Sequence, residues 1–358
     1  MSDVVPVRCS ILRGGTSKGV FFLENDIPVD RAAREQLLLD VFGSPDIRQI
    51  DGLGGATSQT SKAAIIGPST RTDADVDYTF AQVVVTDAVV DWGGNCGNIS
   101  SAVGPFAINA GFVRAVEPLT TVRIHNTNTA KVIVAHVPVE GGRARTLGDH
   151  AIPGVPGTAA RILMEFEEPA GSTTGKLLPT GVAVEEIELA DGRRFQVSVV
   201  DAANPVVFFR AADLGCDGTE SPQAIEANED LCNVLEEGRS IIAEKLGIVA
   251  DRAVATKVSP GLPKVGYVAP PATYVNSLGE TVPAEAADLC GRLMSVQTAH
   301  RSYMTTGAIA TAAAAVIEGT IVHEVTRSSA SRPEADGIRI AHPYGVMGTV
   351  VRADLRGE

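Results

Sequence analysis

Short apolar runs separated by loops rich in Gly, Ser and Thr mark the first half of the chain, at 5–12, 20–23, 63–66 and 76–90. Runs of this length bounded by turn residues predict β-strands, with Thr86-Asp87 interrupting the longest. The pattern breaks at Gly93-Gly-Asn-Cys-Gly-Asn98, which leads into Ile99-Ser-Ser-Ala-Val-Gly-Pro-Phe-Ala-Ile108. That small-residue segment suits a helix closely surrounded by strands. Two further strands, 120–125 and 130–139, flank the turn-forming Asn126-Thr-Asn128. Beyond a Gly/Pro-rich crossing at 148–179, a hairpin is predicted from 182–189 and 194–200, joined at Asp191-Gly192. Acidic amphipathic helices are expected over 222–246 and 285–301, and strands at 319–325, 337–341 and 346–351.

An internal similarity organises these elements. Cys96-Gly-Asn-Ile-Ser-Ser-Ala-Val103 and Thr306-Gly-Ala-Ile-Ala-Thr-Ala-Ala313 share a Gly, an Ile two residues on and an Ala three further, at a constant offset of 210 residues. Both segments lie between strand-rich stretches, which implies two similar halves, each a sheet around a central helix. The length of 358 residues accommodates two domains.

Composition narrows the function. With 30 Lys and Arg against 43 Asp and Glu the net charge is −13, and no basic run offers the footprint a nucleic-acid partner requires. Aromatics are only 4% of the chain, too few for base-stacking platforms. No stretch reaches the roughly 18 apolar residues of a membrane span. The start, MSDVVPVRCSILRGG, has no charged segment followed by a long apolar one, and the five scattered cysteines form no CxxC pair. A reducing, cytoplasmic setting follows as the expectation, with neither disulfides nor a thiolate metal site.

Several familiar motifs fail on inspection. Gly52-Leu-Gly-Gly-Ala-Thr57 has Thr where a dinucleotide fingerprint needs its third Gly. Gly14-Gly-Thr-Ser-Lys-Gly19 lacks the order of a phosphate-binding loop, and Asp73, Asp75 and Asp77 are followed by Tyr78 where a calcium loop needs Gly. His323-Glu324 has no second His at helical spacing, and there is no GxSxG elbow. What remains is Asn95-Cys96-Gly97-Asn98 at a helix start. Unpaired N–H groups there favour anions, so the site can acidify a thiol and hold a substrate carboxylate. A structural cysteine in a Gly-rich turn fits the same residues equally well. Lys62, at the mouth of the apolar run Ala63-Ala-Ile-Ile66, is the second candidate: burial lowers amine basicity, so a neutral amine can act as a base. A lysine snorkelling from a strand end is the competing reading.

These residues also carry a resemblance. Arg13-Gly-Gly-Thr-Ser-Lys-Gly19, Gly43-Ser-Pro-Asp-Ile-Arg-Gln-Ile-Asp-Gly52, Thr60-Ser-Lys-Ala-Ala-Ile-Ile-Gly-Pro68, Asn95-Cys-Gly-Asn98, Gly104-Pro-Phe-Ala107 and Gly175-Lys-Leu-Leu-Pro-Thr-Gly181 together resemble the PrpF and methylitaconate isomerase family, from about residue 7 to about 350. The resemblance implies an α+β fold of two pseudo-symmetric, diaminopimelate epimerase-like domains, each a barrel-like sheet wrapped around a central helix, with the active site between them. The domains are expected at 1–180 and 181–358, the final strand being free to return to the first. The resemblance also implies an Arg-rich helical segment beyond the position that Glu358 matches in the family.

By the same resemblance Lys62 and Cys96 abstract and transfer the proton in a 1,3-allylic shift, without cofactor or metal. Thr306 stands where epimerases carry a second cysteine, which removes two-thiol racemisation. Asn95, Gly97, Asn98, Thr306, Gly307 and Ala308 are expected to hold substrate carboxylates. Ser17 and Ser69 are secondary binding candidates, and His300 and His342 could contribute at the rim of the second domain. The implied partner is a small branched unsaturated di- or tricarboxylate such as 3-methylitaconate, 4-oxalomesaconate or 2-methylaconitate, handled by a homodimer or homotetramer. An epimerase acting next to a carboxylate, or a non-catalytic carboxylate binder, are the alternatives.

Overall fold

A computed structural model describes residues 5–326 and 337–352. The chain divides into two compact units, Met1–Glu168 and Pro169–Glu358. The crossing segment 169–180 belongs with the second unit because the fully buried carboxylate of Asp201 gathers it: Ser172 Oγ, Thr174 Oγ1 and the Thr173 and Thr174 amides all donate to Asp201 at 2.6–2.9 Å.

The first unit comprises β1 (Ser10–Gly14), β2 (Ser17–Leu23), α1 (Arg31–Phe42), β3 (Lys62–Pro68), β4 (Val76–Val83), β5 (Val90–Asp91), α2 (Gly97–Asn109), β6 (Leu119–Asn126), β7 (Lys131–Glu140), β8 (Arg143–Ala144) and β9 (Leu163–Phe166). Its sheet runs in the order β1-β2-β3-β4-β6-β7-β8. Helix α2 packs against β1 at one end of that order and β8 at the other, so the sheet curls around it. Small residues permit the close approach: a Cβ on Gly104 would meet Val137 Cγ2 at 2.7 Å. Strand alternation then sorts the core into two layers. Phe21, Ala64, Ile66, Tyr78 and Phe80 pack with Ile99, Ala102 and Val103 of α2, whereas Val20, Phe22, Ala63, Ile65, Ala81 and Val83 pack with Leu38, Leu39 and Phe42 of α1.

The second unit repeats this frame with β10 (Glu185–Glu188), β11 (Arg194–Ala202), β12 (Asn204–Arg210), α3 (Pro222–Ala227), α4 (Glu229–Lys245), α5 (Ala255–Val258), β13 (Lys264–Ala269), β14 (Tyr274–Val275), β15 (Thr281–Val282), β16 (Leu289–Ser295), β17 (Thr298–Ala299), α6 (Thr305–Val316), α7 (Ile321–Val325), β18 (Ile338–His342) and β19 (Gly345–Thr349). From β11 to β19 the pairings run antiparallel, parallel, antiparallel, parallel, antiparallel, the same succession as from β1 to β7. The Ala-rich α6 packs against β11 and β12 near one end of its sheet and β18 and β19 at the other. The two-halves expectation and the α+β class therefore hold, and the last described strand, β19, stays in the second sheet.

Three sequence expectations need correction. The segment 285–301 is the hairpin β16–β17, turned by Val296 and Gln297 at positive φ. Every residue of β16 is buried, so it has no polar face to set a strand period. The run 319–325 contains α7, whose N–H at His323 is capped by Thr320 Oγ1 at 3.1 Å. The stretch 222–246 is two helices, because Asn228 leaves helical geometry and its side chain caps α4 at Leu231 N.

The β1–β2 turn is pressed onto the first turn of α2. A Cβ on Gly14 would lie 2.2 Å from the Asn98 carbonyl oxygen, a backbone atom that cannot yield cheaply. Gly14→Ala is expected to destabilise the protein by about 1–3 kcal/mol in denaturant unfolding. Gly348→Ala, where a new Cβ meets nothing within 4 Å, should stay within about 0.5 kcal/mol of the parent.

Candidate active site

Even-numbered positions of β3 and β4 face α2, so Lys62 and Gln82 share that inner face; they stand opposite each other in the register. The row extends to Gly19 on β2 and Asp91 on β5. Lys62 is only 6% exposed. Its Nζ donates to Gln82 Oε1 at 2.5 Å and lies 5.4 Å from the centre of the Phe80 ring. Burial pulls the amine below the ordinary lysine range, against the smaller opposing pull of the Cys96 and Asp91 charges. Lys62 and Cys96 are thus brought together in the first unit.

The segment before Lys62 is fixed from below. Buried Gln49 donates to Ser44 Oγ and Ser61 Oγ at 3.0 and 2.7 Å and accepts from Ala56 N at 2.9 Å. This explains the Gly43–Gly52 motif: a Cβ on Gly52 would strike the backbone of Phe42 and Gly43 at 2.2 Å.

Cys96 is the N-cap of α2, with extended backbone angles and no side-chain cap. Its carbonyl accepts from Ser100 N and Ser100 Oγ, and Ser100 Oγ also reaches Asn95 Oδ1 at 3.2 Å. Gly97 lies in the first turn, where an N–H has no intrahelical acceptor. Asn98 Nδ2 donates to Thr16 Oγ1 at 3.3 Å, and a Cβ on Gly15 would meet Asn98 Oδ1 at 2.4 Å, so the β1–β2 turn closes over this helix start. Ser17, which opens β2 after that turn, faces the same side as Lys62; its buried Oγ has no hydrogen-bond partner. Tyr78, on the same face of β4, also carries a buried hydroxyl without a well-formed hydrogen bond. Burial first, and then the charge of Cys96, keep that hydroxyl protonated.

Ser69 is not part of this arrangement. It follows the far end of the seven-residue β3, roughly 20 Å from Lys62 at about 3.3 Å per residue. There it donates to Asp77 Oδ1 at 3.2 Å, beside the buried Asp77–His125 pair.

In the second unit, buried Thr306 accepts from Asn204 Nδ2 at 3.0 Å, and Gly307 lies against Leu293, where a Cβ would meet Cδ1 at 2.3 Å. Ala308 does not present its N–H, which donates to Met304 O at 2.7 Å. The N-cap of α6 is Met304 rather than Thr306, so the helix starts two residues earlier than the Cys96 correspondence implies. His300 and His342 are both buried in this unit. Burial, then the charges of Arg292 and His300, lower His342 to about 3; its Nδ1 accepts from Tyr344 N at 3.2 Å, which leaves the proton of the neutral ring on Nε2.

Gln82, Asp91 and Tyr78 escaped the sequence reading because only strand register assembles them. A further lysine did too. Lys264 opens β13 and pairs with Val206, third residue of β12, as Lys62 opens β3 and pairs with Gly19, third residue of β2. Among the described residues no cluster of His, Cys, Asp and Glu could hold a metal ion, and no helix is long and apolar enough to cross a membrane.

Comparison with known proteins agrees with this construction. The 3-methylitaconate isomerase of Eubacterium barkeri is 51% identical over 351 residues, covering 98% of this chain and 91% of that protein. A 2-methyl-aconitate isomerase of Shewanella oneidensis is 40% identical, covering 96% of this chain and 88% of its own length. A crystal structure of methylitaconate-delta-isomerase superposes with a TM-score of 0.78 at 50% identity, covering 99% of this chain and 91% of that one. The PrpF protein family model matches residues 4–357, and the chain belongs to the PrpF family.

Proposed function

We propose that this protein is an allylic isomerase of a branched, unsaturated di- or tricarboxylate, with 3-methylitaconate the first substrate to test, and that Lys62 is its base. The observation that carries the reading is a lysine amine buried on the inner face of a sheet, bonded to an uncharged amide and set beside the cysteine that opens α2. A free lysine is an ammonium ion at neutral pH; this one is biased by burial toward the amine that a proton acceptor must be.

The reaction follows from these groups. The neutral amine of Lys62 removes a proton from the allylic carbon, and the C–H electron pair becomes the new double bond. The old double bond shifts its electrons toward the conjugated carboxylate, giving a dienolate. A proton returned to the far carbon, from the Lys62 ammonium or from the Cys96 thiol, completes the transposition with no net gain or loss of atoms or charge. Donors aimed at the developing negative charge lower the barrier. The first-turn amides Gly97 and Asn98, with Asn95 and Ser17, are the proposed carboxylate holders, and Thr306 and Gly307 at the start of α6 are proposed for the same chemical task within their own unit. The unpartnered buried hydroxyl of Ser17 supports its place in this set, since an unmet buried hydroxyl costs about 1–3 kcal/mol without a ligand.

Incubation with 3-methylitaconate, 2-methylaconitate and 4-oxalomesaconate in deuterated water should give double-bond transposition with deuterium incorporated at an allylic carbon for at least one acid. Absence of both turnover and exchange with all three rejects the isomerase reading. Lys62→Ala should lower kcat by at least about 10²-fold, and a variant with parental activity rejects Lys62 as the base.

The pH dependence has a defined sign. The amine works unprotonated, so kcat/KM should fall tenfold per pH unit as pH drops below the amine's own pKa, with the break lying below that of an ordinary lysine. A break at or above the ordinary lysine value in the pH profile of kcat/KM contradicts the assignment.

A further inference from the structure

Gln82 has no assigned part in this chemistry, yet its geometry is the most constrained around Lys62. Its Nε2 donates to the Ser61 carbonyl at 2.8 Å, the Ser58 carbonyl at 3.1 Å and the Val83 carbonyl at 3.3 Å. Carbonyl oxygens accept only, so the amide cannot turn over without setting oxygen against oxygen. Oε1 is therefore fixed toward Lys62 Nζ, 2.5 Å away. The same side chain grips the carbonyl of Ser61, the residue before Lys62, and so locates both the backbone and the amine of the lysine.

Chemically, the choice of an amide matters. A carboxylate in that position would form a buried ion pair and hold Lys62 as ammonium. The nearest carboxylate in the row, Asp91, sits one strand farther out, opposite Gln82. The titratable groups that act on Lys62 are Asp91 from β5 and Cys96 from the start of α2; Tyr78 lies farther along the same face of β4, opposite Ile66, and β2 contributes Gly19 and Ser17, which do not titrate.

We propose that Gln82 is the positioning residue of Lys62, a locked, uncharged acceptor that aims the amine, with the Asp91 carboxylate held one strand farther away. The inference rests on the reading of Lys62 as the base, and the test separates the two. The amine is titrated without catalysis, by pH-dependent acetylation with acetic anhydride and quantification of the Lys62 peptide by mass spectrometry. Gln82→Glu should raise the labelling midpoint by about one to three pH units, and Asp91→Asn should lower it. In turnover, Gln82→Met, which keeps length but removes the acceptor, should lower kcat more than about tenfold with KM within about threefold of the parent. Acetylation midpoints unchanged in both Gln82→Glu and Asp91→Asn, or a folded Gln82→Met with parental kcat, overturn the proposal. If Gln82→Glu does not fold, Asp91→Asn and Gln82→Met decide by the same criteria. Should Lys62→Ala retain activity, the base assignment fails, and the acetylation midpoints alone still decide whether Gln82 and Asp91 govern the amine.

Discussion

Everything at the candidate site depends on a helix thin enough to be enclosed by its own sheet. Helix α2 meets strands at both ends of the sheet order, which a helix with bulky residues all round could not do, because the interaxial distance is set by the side chains at the contact. Gly104 against Val137, and the carbonyl of Asn98 against Gly14, show how little room remains. Enclosure brings the first turn of α2 to the same side of the sheet as the start of β3. Cys96 and Lys62 are neighbours for that reason, although 34 residues separate them in sequence.

The same enclosure resolves an electrostatic conflict. A chain at −13 repels anionic acids at long range, and that field weakens over about 8 Å at physiological salt. Capture must therefore be local. On the proposed reading the start of α2 supplies partial positive charge without a formal cation, and the buried Ser17 hydroxyl adds an unengaged donor. A permanently charged lysine at position 62 would also attract a carboxylate, but it would then be useless as a proton acceptor. Burial next to an amide, rather than next to an acid, favours the second task.

Elements with a clear period or a clear turn were legible in the sequence: the β1–β2 region, the hairpin at Asp191-Gly192, the helix after Cys96. The misreadings have physical causes. Strand β16 is buried on both faces and even carries Arg292 inside, its guanidinium donating to the carbonyls of Glu220, Gly291 and Ala341, so its polar residues mark no solvent face. The resemblance makes Ser69 a binding candidate, but seven residues of extended chain separate it from Lys62. Gln82 was invisible because its meaning comes from standing opposite Lys62, and register is a property of the sheet.

The internal duplication shows why half of the site's logic lay beyond a single-offset comparison. Cys96 and Thr306 are related by 210 residues, whereas Lys62 and Lys264 are related by 202, since the second unit carries eight more residues between its strand-opening lysine and its helix motif. That stretch holds the small ribbon β14–β15, which has no counterpart in the first unit. Helix α6 also begins two residues early relative to the motif, which consumes the Ala308 amide. A duplicated frame has thus kept its strand senses and the position of its rim lysines while the residues around them diverged. Where the first unit sets Gln82 opposite its lysine, the register of β13 and β16 runs on toward Ser295, and where the first unit has a thiol, the second has a hydroxyl already bonded to Asn204. Topology conserves where a side chain stands; the cross-strand partner decides what it can do there.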